Sequence, residues 1–111
     1  MKSKPEIVRI KEIYKKEGFN VFCHFTNDEY RIVDFKQLFN LWNITKVDYE
    51  YKLLDVSELH KVKIINGTMS WNNVSIPLLD ENGIEKQFPF ELDPIVLYQN
   101  SCIDNDKILE K

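Results

Sequence analysis

The amino-acid sequence predicts an α+β fold: a single domain built on an antiparallel β-sheet, a meander plus hairpins of about five to seven strands, with two or three short helices. Three observations carry this. Two Asn-Gly turns, Asn66-Gly67 and Asn82-Gly83, divide β-branched and aromatic runs between Lys61 and Tyr98. Apolar and polar residues alternate at period two in the first third of the chain. Alanine, the strongest helix former, is absent, while seven Phe and five Tyr favour strands.

The first strand is expected from Ile7 to Tyr14, with Val8 and Ile10 on one face. Glu17-Gly18 is a turn. From Phe19 to Phe25, alternation puts Phe19, Val21, Cys23 and Phe25 on one face, and Asn20, Phe22 and His24 on the other. Thr26-Asn27-Asp28-Glu29 closes a hairpin without the usual glycine, and Tyr30 to Phe35 returns as the third strand of the meander. Asp34 can cap a short helix over residues 35–42, where Phe35, Leu38, Phe39 and Trp42 keep helical spacing. Residues 43–53 stay open: Val47, Tyr49, Tyr51 and Leu53 alternate like a strand, but no turn pins them.

Asp55 or Ser57 can cap one helical turn through Leu59. Lys61 to Ile65 and Thr68 to Trp71 pair about Asn66-Gly67, and Val74 to Leu78 and Ile84 to Phe88 pair about Asn82-Gly83. Pro77 and Pro89 make the latter two edge or irregular strands. Asp93-Pro94 combines a cap with proline at the first helical position, so Ile95 to Gln99 is a last short helix. The domain is expected over residues 1–100, with residues 101–111 a polar, frayed tail.

A chain of 111 residues suits one domain with one core, and an apolar fraction of 43% is that of a folded globule. The formal net charge of -3 does not favour nucleic acid. That charge is uneven. Residues 1–16 carry six Lys or Arg against Glu6 and Glu12, while the region after Lys52 carries five Lys against ten Asp or Glu. The basic front either orients a partner or is a solvated edge strand. Cys23 and Cys102 are too few for a disulfide framework and form no CxxC, so both read as free thiols. With no N-terminal apolar h-region and no apolar run near a membrane span, a cytoplasmic protein is expected. The Asn-x-Ser/Thr sequons at Asn43, Asn66 and Asn73 fit chance in a chain with ten Asn.

The order of parts resembles a bacterial family known as domain of unknown function 2442. One stretch that carries the resemblance is the hairpin from Phe19-Asn20-Val21-Phe22-Cys23-His24-Phe25 to Tyr30-Arg31-Ile32-Val33-Asp34, followed by a short Phe/Leu helix. The other is Trp71-Asn72-Asn73-Val74-Ser75-Ile76 with, after an insertion, Asp93-Pro94-Ile95-Val96-Leu97-Tyr98. Together they span roughly residues 7–100. The chain departs from the pattern where Asn73-Val74 replaces Asn-Gly, where Glu29 occupies a glycine turn, and in an insertion of about Leu79 to Phe90. The resemblance implies a small α+β protein, in some members encoded beside a small toxin-like partner, with no established catalytic residues. Some members add a C-terminal helix-turn-helix, which is not expected in the polar tail after Tyr98.

No chemistry is legible by spacing. His24 and His60 belong to no HxxxH or Cys-His pattern, so no metal is expected. Asp80-Glu81-Asn82-Gly83 lacks the alternating ligands of a calcium loop and reads as a hairpin turn. No G-x-S-x-G occurs, and Gly18, Gly67 and Gly83 are too scattered to cradle phosphate. Eighteen acids leave a carboxylate pair open without singling one out. No cofactor is expected.

The first expectation is therefore a non-enzymatic protein-interaction domain, possible as an antitoxin-like partner of a small toxin-like protein or as a homo-oligomer. Alternatives are a small-ligand binder or enzyme with an unrecognised site, and a weak single-stranded nucleic-acid binder using Lys11, Lys15 and Lys16 beside Tyr14 and Phe19. The candidate interaction residues are Arg9, Lys11, Lys15 and Lys16 in the first strand, and Phe88 and Phe90 in the insertion, unless the two Phe pack under the sheet. Trp71 and Tyr98 are expected as a structural pair joining the hairpin to the last helix, and Trp42 as core or core edge.

Overall fold

The computed structural model describes residues 8–109. The expected strand start at Ile7 lies outside them, as do Lys2 and Lys4 of the basic front. The meander forms as β1 (Ile10–Glu17), β2 (Asn20–Phe25) and β3 (Tyr30–Asp34), all antiparallel. Val21, Cys23 and Phe25 point into the core, as their alternation predicts. Asp28 supplies the left-handed residue (φ 65°) that the glycine-free β2–β3 hairpin needs. Helix α1 (Phe35–Trp42) follows, with Asp34 accepting from the Gln37 amide at 3.1 Å and Phe35, Leu38 and Phe39 buried.

Residues 43–53 are not a strand. Asp48 accepts from the Thr45 amide and closes a turn, and Tyr49–Leu54 then winds as a 3-10 helix. Val47 is 90% exposed and only Leu53 of that helix is buried, so the period-two pattern has no sheet to pack on. Asp55 caps α2 (Val56–Leu59), accepting from the Ser57 amide.

The hairpins form a second sheet, so the single sheet expected is corrected to two. It contains β4 (Lys63–Ile65), β5 (Thr68–Leu79) and β6 (Glu85–Glu91) in that order. The expected break after Trp71 is absent. One twelve-residue strand runs through it, and its register against β6 slips between Trp71 and Ser75. The extra residues form a bulge that drives Val74 into the core.

Helix α3 (Pro94–Gln99) starts on the Asp93 cap as expected. The frayed tail is a second correction. Residues Ser101–Ile103 form β7 against β3, giving the first sheet the order β1-β2-β3-β7, and α4 (Asn105–Leu109) follows. Backbone pairing needs no apolar sequence, and two side chains lock this strand. Arg31 donates through Nε to Ser101 Oγ at 2.6 Å and through its guanidinium to the Ser101 carbonyl at 3.0 Å. Tyr14 donates its hydroxyl to Asp104 at 2.7 Å.

The sheets meet where β1 touches the β4–β5 turn: the Ile10 amide donates to the Gly67 carbonyl at 2.8 Å. Trp71 lies at the centre of the core. Its ring packs against Phe35 and Phe90, and its indole N–H donates to the Leu59 carbonyl at 2.9 Å.

Candidate interaction surfaces

Lys11, Lys15 and Lys16 lie on the edge strand β1 and Arg9 directly precedes it, and each of the four charges has a partner within the fold. Arg9 donates to the Asn66 carbonyl at 3.1 Å, and Lys16 to the His60 carbonyl at 2.6 Å. Lys11 pairs with Asp28 at 3.1 Å, and Lys15 lies over the Phe22 ring. Arg9 thereby ties the first sheet to the β4–β5 turn of the second, and Lys16 ties it to the end of α2.

Trp71 and Tyr98 are both structural, but they find different partners. Tyr98 packs edge-to-face on Phe25, donates to Glu29 at 2.6 Å and carries the Arg31 guanidinium over its ring. Those contacts hold α3 to the β2–β3 hairpin, whereas the ring partners of Trp71 are Phe35 and Phe90. The expected pair is thus corrected to two separate anchors. Trp42 is half-buried against Phe39 at the edge of the core.

The insertion forms an arm, the outer part of β5 and β6, and it separates Phe88 from Phe90. Phe90 is only 5% exposed, packed on Trp71, so its assignment to an interface is corrected: it is core. Phe88 is 42% exposed. Opposed residues of an antiparallel pair share a face, so Ile76 opposite Phe88 and Leu78 opposite Lys86 lie on one side. The hydrogen bond from the Asp80 amide to the Ile84 carbonyl extends this register and adds Ile84 to that side. Phe90, two residues from Phe88, also points this way. The face is therefore an extension of the core: Ile76 still packs on it, while Leu78 (52% exposed) and Ile84 (58% exposed) overhang with Phe88. Its charges are Asp80 and Lys86, 3.4 Å apart. Ser75, Pro77, Glu85, Gln87 and Pro89 occupy the other side, with Leu79.

The sequence reading found Phe88 but missed Ile76, Leu78 and Ile84. Their alternation was legible, but which side would be covered was not.

A second surface is an open groove of about 690 Å³ beside the 3-10 helix, lined by Tyr49, Tyr51 and Leu54 with Lys52, Asp55 and Glu58. Its polar groups serve the fold. Lys52 donates to the Asn73 carbonyl, Asp55 caps α2, and Glu58 accepts from Asn73 and Lys61. The Asn73 amide beside Glu58 and the Ser57 hydroxyl beside Asp55 hold both carboxyls below their ordinary range. Both are thus ionised near neutral pH and unsuited to donate a proton there.

Burial pushes the Cys23 thiol up to about 12, so it is an inert core residue. His24 stacks on Tyr30 with a centroid distance of 4.1 Å, and its Nε2 lies 3.3 Å from Asp28 without hydrogen-bond alignment. His60 Nε2 meets the Gly18 carbonyl at 2.7 Å. Among the described residues no group of three or more His, Cys, Asp or Glu is placed to hold a metal ion, and no helix is long and apolar enough to cross a membrane.

No family model matches this chain, and neither a curated protein nor a solved structure does.

Proposed function

We propose that this chain is a non-enzymatic protein-interaction domain that engages another protein through the overhanging face of the β5–β6 arm. One observation carries the reading: Ile76, Leu78, Ile84 and Phe88 continue the core outward on a two-stranded arm with no described layer over the outer three. Contiguous apolar surface costs solubility, and a partner that buries it recovers roughly 25 cal/mol per Å². The groove beside the 3-10 helix supports an enzyme or ligand reading less well, because its charged groups are engaged in caps and ion pairs. Two free thiols fit a reducing, cytoplasmic setting.

The family resemblance makes a small toxin-like protein from the neighbouring gene the first partner to test. Titration calorimetry with that product is expected to give saturable binding to the wild type and at least a tenfold loss with Leu78→Asp, at an unchanged melting temperature. Equal binding by both proteins would remove the arm from the interface. Phe90 is a poor probe, because its substitution would damage the core.

A further inference from the structure

Apart from the arm, we infer that the pocket where α1 meets Phe19 and the end of the 3-10 helix binds a small carboxylic acid with an apolar body.

The pocket has a volume of about 350 Å³. That is within the range of roughly 300–1,000 Å³ usual for small-molecule sites. Its apolar wall is an outcrop of the core. Phe39 is buried, Phe19 and Ile44 pack on the core, and Leu54 stands exposed at the end of the 3-10 helix. The polar side comes from α1. Lys36 and Asn40 are four residues apart and share a face of that helix. Asn43 ends the helix in the left-handed region (φ 51°), and its backbone N–H donates to the Asn40 carbonyl at 3.2 Å. Its side-chain amide is therefore not needed for the cap and lines the pocket.

The polar groups decide the chemistry of the ligand. Among the described residues Lys36 is the only charged one that lines the pocket, and no carboxylate does. The lysines of β1 have partners within the fold, whereas Lys36 has neither an ion pair nor a hydrogen bond among the described residues. The side-chain amides of Asn40 and Asn43 are without partners there as well, and each has two N–H donors. A cationic ligand would meet only repulsion. A carboxylate would accept from the ammonium and the amides together. One point charge suits a single carboxylate better than a polyanion. The apolar wall requires the rest of the ligand to be hydrocarbon, because a small polar acid would leave that wall uncovered. The groove beside the 3-10 helix lacks this character, since its Lys52, Asp55 and Glu58 already serve the fold.

The test uses 3-phenylpropionate, titrated into the isotope-labelled full chain and followed by amide chemical shifts. Saturable shifts are expected at residues 36–44 and 54, with a dissociation constant of about 1 mM or below. 3-Phenylpropanamide keeps the body without the charge, and acetate keeps the charge without the body. Each should bind at least tenfold more weakly. Lys36→Met keeps the aliphatic stem and should weaken binding at least fivefold. Asn40→Asp places a carboxylate beside Lys36 with little change of shape and should weaken it at least tenfold. Both positions are exposed, so the melting temperature should stay that of the wild type. Leu78→Asp, on the arm, should bind the acid like the wild type.

A dissociation constant above about 1 mM, or none measurable, overturns the site. Equal binding of the amide overturns the role of the charge, and equal binding of acetate overturns that of the apolar wall. Shifts confined to other residues, or wild-type binding by both Lys36→Met and Asn40→Asp, remove the ligand from this pocket. Loss of binding with Leu78→Asp would move it to the arm and equally overturn the inference. The arm reading is tested by the neighbouring gene's product and stands or falls separately.

Discussion

Arg9 packs so closely on Gly67 that a Cβ at the glycine would stand 2.9 Å from both Cβ and Cδ of the arginine. Gly67 also has φ +78° and accepts the Ile10 amide, so one residue serves the β4–β5 turn and the junction of the sheets. Gly67→Ala should therefore combine left-handed strain with a steric clash against an atom fixed to the backbone. We expect a loss of about 2–4 kcal/mol by urea unfolding. Gly83 has φ +77° but open space around it, so Gly83→Ala should cost only about 1–2 kcal/mol. Equal losses would mean that the Arg9 contact is not part of the cost.

Trp71 is fully buried and donates to the Leu59 carbonyl. Trp71→Ala should cost about 3–5 kcal/mol. Trp71→Phe keeps much of the volume but strands that carbonyl, for about 1–3 kcal/mol. A melting shift within error for Trp71→Ala would place the indole outside the core.

Acid should unfold the protein through specific carboxyls. Lys11 lowers the Asp28 pKa, the Tyr98 hydroxyl lowers Glu29, and the Ile84 amide lowers Asp80; Asp55 and Glu58 are lowered as described above. A depressed folded pKa contributes stability that is present above the unfolded value of about 4 and lost as pH falls through the folded value. Urea midpoints should therefore decline below about pH 4, and Glu29→Gln should flatten part of that decline. A Glu29→Gln profile parallel to wild type would remove Glu29 from the account.

The alkaline limb has the opposite sign. Burial raises Cys23 from 9.0 to about 12, and burial with the Asp104 hydrogen bond raises Tyr14 further. The folded state holds these protons more tightly, so their contribution is intact below the unfolded values and is lost as pH rises through the folded ones. Stability should fall above about pH 9, and Cys23→Ala should reduce the slope between 9 and about 12. An unchanged slope would mean that the thiol ionises equally in both states.

Removing residues 101–111 should destabilise the whole domain by at least about 2 kcal/mol, because β3 loses a paired strand and Arg31 loses both Ser101 bonds. A truncated chain that melts with the wild type would return this segment to the status of a tail.

What the sequence determined by itself was local. The caps at Asp34, Asp55 and Asp93, the Asn66-Gly67 and Asn82-Gly83 turns and the Val21, Cys23, Phe25 alternation were legible because each depends on neighbours within a few residues. The tertiary structure decided whatever depends on a distant partner. Val47, Tyr49 and Tyr51 alternate like a strand but find no strand to pair with, whereas the polar Ser101–Ile103 finds β3 and Arg31. Phe88 and Phe90 share a face and a residue type, yet one overhangs and the other is core. Their difference is set by where Trp71 ends the core, and no local rule encodes that distance.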